Sequence, residues 1–205
     1  MTKTYHNLQD ALDNPLDVLI LEMSMNTRIS MGLHELESLP RVIGLFQNLE
    51  KLNLDGNQLT SLPKEIGQLQ KLRVLNLAGN QLTSLPKEIG QLQNLERLDL
   101  AGNQFTSLPK EIGQLQKLEA LNLDHNRFTI FPKEIRQQQS LKWLRLSGDQ
   151  LKTLPKEILL LQNLQVLRLY SNSFSLKEKQ KIQELLPNCE IDFESEGKSE
   201  SSLTE

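Results

Sequence analysis

Apolar residues recur along this chain in a frame of 23. Units beginning at Leu49, Leu72, Leu95, Leu118, Leu141 and Leu164 each open L-x-x-L-x-L, followed three residues later by Asn or, once, Asp. Apolar residues two apart at the end of that opening predict a short strand with one face turned inward. The L-P-K-E-I-G-Q-L-Q that follows in the second unit spaces its apolar residues three or four apart, which predicts one or two turns of helix or 3₁₀ helix. Proline at its first position suits a helix start, where the missing N–H would have had no partner. The units at 72 and 95 differ at 5 of 23 positions, as a duplication leaves them. An earlier unit is framed on Val18, Leu21, Met23 and Asn26, with an insertion around Arg28 to Glu35. One strand and one short helix cannot bury their own leucines; stacked neighbours can, so the chain predicts a repeat solenoid.

The asparagines recur as regularly as the leucines. Asn57, Asn80, Asn103, Asn126 and Asn172 fall where each strand must end. An inward amide there both donates to and accepts from backbone groups that burial would otherwise leave unpaired. Asp149 breaks the column, and a carboxylate cannot donate, so weaker stapling is expected at that point.

Composition narrows the function. Leucine accounts for 44 of the 205 residues while aromatics make up 4%. Lys and Arg number 23 against 26 Asp and Glu, with no basic excess to coat phosphates, so nucleic acid is not expected as a partner. The one cysteine, Cys189, excludes an intrachain disulfide and reads as a structural thiol in an alternating strand. No apolar run approaches the roughly 18 residues of a membrane span. Met1 to Asp13 is polar and lacks the apolar core of a signal peptide, so the chain as written reads as cytoplasmic.

The ends depart from the repeat. Tyr5, Leu8, Ala11 and Leu12 form an amphipathic stripe stopped by Pro15, read as a capping helix within residues 1–17. Seven repeats are placed over 18–172. A C-terminal cap over 173–193 combines a helix carrying Leu176, Ile182, Leu185 and Leu186 with an edge strand alternating Cys189, Ile191 and Phe193. Residues 194–205 are rich in Ser and Glu and are expected to be disordered.

The pattern L-x-x-L-x-L-x-x-N-x-L-x-x-L-P, over roughly residues 18 to 193, resembles that of leucine-rich repeat proteins. The near-verbatim T-S-L-P-K-E-I-G-Q-L-Q, the opening T-Y-H-N-L-Q-D-A-L-D-N-P-L-D-V and the closing L-P-N-C-E-I-D-F resemble the leptospiral type with 23-residue repeats. The resemblance implies an α/β solenoid of horseshoe shape: a concave parallel β-sheet, convex short helices or 3₁₀ turns, a helical N-cap and a helix-plus-strand C-cap. It also implies protein binding as the usual activity, and for a bacterial family of this type a secreted, surface-exposed or host-facing setting.

In that frame the second, third, fifth, seventh and eighth positions of each unit face outward on the concave side. The middle of this surface is bland. Its C-terminal third gathers Trp143, Arg145, Arg168 and Tyr170 beside Asp124 and His125, with Arg97 and Asp99 nearer the centre. Trp, Tyr and Arg dominate binding hot spots because each offers a large area and a polar handle. These residues are the expected partner site, set against the plainer alternative in which Trp143 stacks on Lys142 or Arg145 and merely covers the sheet. Asp99, Asn122, Asp124 and His125 lie on adjacent strands, but one His among scattered oxygens is not a specific ligand set, so no metal is expected. His6, His34 and the repeated Lys-Glu pairs carry no identifiable chemistry. No nucleophile elbow, phosphate loop, zinc-protease motif or catalytic carboxylate pair can be placed. The reading is a monomeric, non-catalytic module without cofactor that binds a protein partner. Its rivals are a self-associating structural protein and a carbohydrate or matrix adhesin.

Overall fold

A computed structural model describes residues 4–31 and 34–194. Its strands are short, because each must end where the chain turns toward the convex side: β1 (Thr4–Tyr5), β2 (Ile20–Glu22), β3 (Lys51–Asn53), β4 (Val74–Asn76), β5 (Arg97–Asp99), β6 (Ala120–Asn122), β7 (Trp143–Arg145), β8 (Val166–Arg168) and β9 (Glu190–Asp192). They form one parallel sheet in chain order. From β3 to β8 the register advances by one repeat per strand, so Leu52, Leu75, Leu98, Leu121, Leu144 and Leu167 lie opposite one another. All six are at most 2% exposed. The concave parallel sheet and convex turns are those of a leucine-rich repeat horseshoe.

The convex segments are 3₁₀ turns, running from Arg41–Leu45 through Lys64–Gln68 and its successors to Lys156–Leu160. The proline sits one place earlier than the sequence suggests. Pro63 is extended (φ −70, ψ 149) and caps the turn from outside, its carbonyl accepting from Ile66 N–H at 3.1 Å. Its fixed φ thus serves the approach to the turn, not the turn itself. Gly67 follows because the next turn passes close: a Cβ there would lie 2.7 Å from the Glu88 carbonyl oxygen. At Gly113 the corresponding distance to Glu134 opens to 3.2 Å. The next repeat then carries Arg136 at this place, with its side chain exposed.

Gln138 occupies a position held elsewhere by Leu69, Leu92, Leu115 and Leu161. It is fully buried; its amide donates to the Ile112 carbonyl, while its Oε1 has no partner. The Ile112 carbonyl also accepts from Leu115 N–H, so it does not depend on this side chain. Gln138→Leu removes a buried unpaired acceptor at nearly constant volume and is expected to stabilise the fold by about 1 kcal/mol in urea denaturation. A destabilised variant would show that the Ile112 bond outweighs the orphaned oxygen.

The ends follow their own chemistry. Tyr5, read from sequence as part of the capping helix, instead lies in β1 and is 7% exposed. The helix α1 covers only Leu8–Leu12, capped by Asn7, whose Oδ1 accepts from Asp10 N–H at 2.9 Å. In the first repeat the strand matches its frame, but Asn26 does not join the asparagine column. It lies exposed in α2 (Met25–Ser30), because the chain here turns directly into a helix. At the other end α3 (Leu176–Leu185) starts at Ser175 and buries Ile182. Leu176 stays 80% exposed. Phe174 meets Phe193 edge to face at 6.0 Å. Burial pushes the half-buried Cys189 thiol up to about 11, away from thiolate reactivity. Of the tail expected to be disordered, 194–205, only Glu194 is described, its N–H donating to Asp192 Oδ1 at 2.9 Å; residues 195–205 lie outside the described residues.

Each column asparagine makes the same bonds. Asn103 Oδ1 accepts from Leu82 N–H at 2.9 Å, and its amide lies 2.9, 3.0 and 3.2 Å from the carbonyls of Leu77, Leu100 and Ala101. One side chain therefore links the ends of two strands and the loop behind them. Asp149 keeps only the accepting half, from Phe128 N–H at 2.8 Å, and its other oxygen is buried with no partner.

Candidate functional site

The concave face takes its side chains from alternate positions of three-residue strands. Third-position residues Val74, Ala120 and Trp143 and fifth-position residues Asn76, Asp99, Asn122 and Arg145, with Arg97, line a shallow groove of about 320 Å³ over β4 to β7. Its floor is small and apolar, its sides are amides and charges, and Trp143 closes the C-terminal end. A smaller groove of about 190 Å³ over β2 to β4 shares Val74 and Asn76 with it, so the two form one trough across the strands.

Fifth-position side chains are held in place by the turn beneath them. Asn76 Oδ1 accepts from Ala78 N–H at 3.0 Å, Asp99 Oδ1 from Ala101 at 2.9 Å, and Asn122 Oδ1 from Asp124 at 3.1 Å. Asn122 also donates to Asp99 Oδ2 at 3.1 Å. Burial raises the Asp99 carboxyl, opposed by the Ala101 N–H and by Asn122. The side chains of this rim are therefore largely preset before any ligand arrives.

Arg145 is fixed by a network that spans three repeats. Its Nε donates to Asp124 Oδ2 at 2.6 Å and its NH2 to the Tyr170 hydroxyl at 2.9 Å. That hydroxyl also donates to Asp124 Oδ2 at 3.4 Å, while Asp124 Oδ1 accepts from Ser147 N–H at 2.6 Å. Tyr170 reaches across two repeats to do this. Asp124, Ser147 and Tyr170 are 2%, 0% and 5% exposed. Burial works against the guanidinium charge, yet Asp124 and Tyr170 hold it above its ordinary value.

This placement corrects part of the expected surface. Asp124 and Tyr170, read as outward residues, are buried, because their polar ends meet each other and Arg145 and not solvent. Arg168 is drawn to Glu190 at 2.8 Å, at the C-terminal end of the sheet. His125 is exposed but turns away from the groove. At φ +55 it stands where Gly56, Gly79, Gly102 and Gly148 stand in other repeats, and its ring lies against Gly148. Trp143, Arg145, Asp99 and Arg97 do come together, around the groove. Trp143 is half-buried, with Lys142 Nζ 5.9 Å from its ring centroid and that ammonium paired to Glu119 at 2.8 Å. The lining residues Val74, Asn76 and Ala120 were not singled out from sequence, and Asn122 only as a weak metal candidate, although all four stand in the same outward columns. Among the described residues, no group of three or more His, Cys, Asp or Glu could hold a metal ion, and no helix is long and apolar enough to cross a membrane.

Comparison with known proteins agrees with this architecture. A leucine-rich repeat region model matches residues 64–142, and a single leucine-rich repeat model matches residues 48–69. No curated protein matches the chain. Among solved structures, that of PEPR1–AtPEP1 is 32% identical, covers 78% of this chain and 22% of that one, and superposes with a TM-score of 0.66. The ectodomain of the plant membrane receptor kinase GASSHO1/SCHENGEN3 from Arabidopsis thaliana, in complex with Casparian strip integrity factor 2, is also 32% identical. It covers 84% of this chain and 20% of that one, with a TM-score of 0.65. This chain thus spans about a fifth of the length of either. A leucine-rich repeat protein of Leptospira interrogans is 28% identical over 94% of this chain and 100% of that one, with a TM-score of 0.33. The 23-residue frame, the single parallel sheet with its buried leucine and asparagine columns, and the matching repeat models make this chain a leucine-rich repeat protein.

Proposed function

We propose that this chain is a non-catalytic recognition module that binds a protein partner, through an extended segment of it, in the concave trough between β2 and β7. The observation that carries the reading is the half-buried Trp143 at the end of a groove with an apolar floor and a preset polar rim. A rigid sheet places the ordering cost of binding mainly on the partner. A tryptophan beside a fixed arginine supplies the area and the polar handle that dominate binding energy. The similar GASSHO1/SCHENGEN3 ectodomain was solved in complex with Casparian strip integrity factor 2, which supports a recognition role for this kind of sheet.

Selection of displayed peptides on the wild-type chain tests this. Selected ligands are expected to lose roughly tenfold in affinity on Trp143→Ala, about 1.4 kcal/mol, and clearly less on Lys51→Ala, which lines only the smaller β2–β4 end of the trough. Both variants should keep the wild-type melting temperature. Equal losses from the two, or ligands found only on a glycan array, would overturn the reading.

A further inference from the structure

The asparagine column and its single carboxylate carry a second consequence, independent of what the trough binds. In five repeats the column side chain accepts through Oδ1 and donates through Nδ2. Asn126, one repeat before Asp149, lies 3.0, 2.9 and 3.3 Å from the carbonyls of Leu100, Leu123 and Asp124. Asn172, one repeat after, lies 2.6 and 3.0 Å from those of Leu146 and Leu169. Asp149 Oδ1 fills the accepting place, on Phe128 N–H. By the pattern of its column neighbours, its Oδ2 stands for the amide nitrogen, whose place in the other repeats faces backbone carbonyl oxygens. It is buried and unpartnered there. An ionised oxygen among acceptors is repelled, whereas a protonated one can donate to a carbonyl and restore the missing bond.

We infer that Asp149 is a proton-operated staple between the fifth and sixth repeats, closed when its Oδ2 carries a proton and loosened when it does not. The groups around it favour this. Burial pushes its carboxyl up to about 7 and the Asp124 charge adds to this, while the backbone N–H groups of Phe128 and Asn126 oppose it. Asp124 is itself held by Arg145 and backed by Tyr170. His125 lies against Gly148, next in sequence to Asp149. The column neighbours Asn126 and Asn172 are neutral. An unfolded aspartate titrates near 3.9. Between that value and about 7 the folded chain holds a proton that the unfolded chain has released, so this site makes stability fall as pH rises across the window and leaves it level above.

Two measurements on the whole chain test this. The carboxyl ¹³C resonance of Asp149 in the wild-type protein is expected to titrate near neutrality; a midpoint close to the ordinary aspartate value of roughly 4 would overturn the inference. Melting curves of wild type and Asp149→Asn over the same range provide the second. The variant carries its donor at every pH, so its advantage over wild type should grow as pH rises, by roughly 10 °C over the window. An advantage that is constant with pH, or a variant less stable than wild type near neutrality, would also overturn it.

Discussion

Arg145→Ala is expected to cost the fold about 3 kcal/mol, the upper end of what a single change outside the leucine core should do here. The lost contact is the 2.6 Å bond to Asp124, a carboxylate only 2% exposed. Asp124 would keep the Ser147 N–H and the more distant Tyr170 hydroxyl, but no counter-charge. Removing one partner of a buried pair costs more than removing both, because the remaining charge stays out of water. Adding Asp124→Asn should therefore recover most of the loss, which urea denaturation of the single and double variants can measure. If the double variant is no better than Arg145→Ala alone, Arg145 acts by packing and the charge argument fails. The outcome also bears on the trough, since Arg145 forms part of its rim.

Asn103→Ala should be nearly as severe, at roughly 2–3 kcal/mol. It leaves the Leu82 N–H buried without its acceptor and removes donors to the carbonyls of Leu77, Leu100 and Ala101. The Leu77 carbonyl still receives the Asn80 amide, so that part of the loss is buffered by the neighbouring repeat. Asn103→Asp is the informative companion. It keeps the bond from Leu82 N–H and loses the donor, which reproduces at mid-stack the arrangement found at Asp149. Its stability should then fall with rising pH where wild-type position 103 contributes no such slope. A pH-independent loss in Asn103→Asp would mean that the column carbonyls tolerate a negative neighbour.

Much of this was legible in the chain itself. The 23-residue frame announced the parallel sheet, because identical units can pair only with a constant register step, and it announced the leucine core, because no single unit can bury its own face. The asparagine column and the break at Asp149 could be read because an amide and a carboxylate differ in a property that needs no coordinates. The irregular ends were read less well. Tyr5 and Asn26 each fit the local pattern expected of them, yet one became part of an added edge strand and the other part of the helix that follows β2 in the repeat carrying the insertion.

By itself the sequence determined the solenoid, the inward leucines, the stapling asparagines and the outward columns in which a site could lie. All of these follow from spacing, because a repeat places like residues in like environments. Only the tertiary structure decided which outward residues are available. Asp124 and Tyr170 stand 46 residues apart in columns that the repeat frame turns outward. What buries them is a contact between side chains two repeats apart, with Arg145 between them. Side-chain length and hydrogen-bonding partners across strands set that contact, and neither is written in the period of the repeat. The same contact holds Arg145 on the rim of the groove that Trp143 closes.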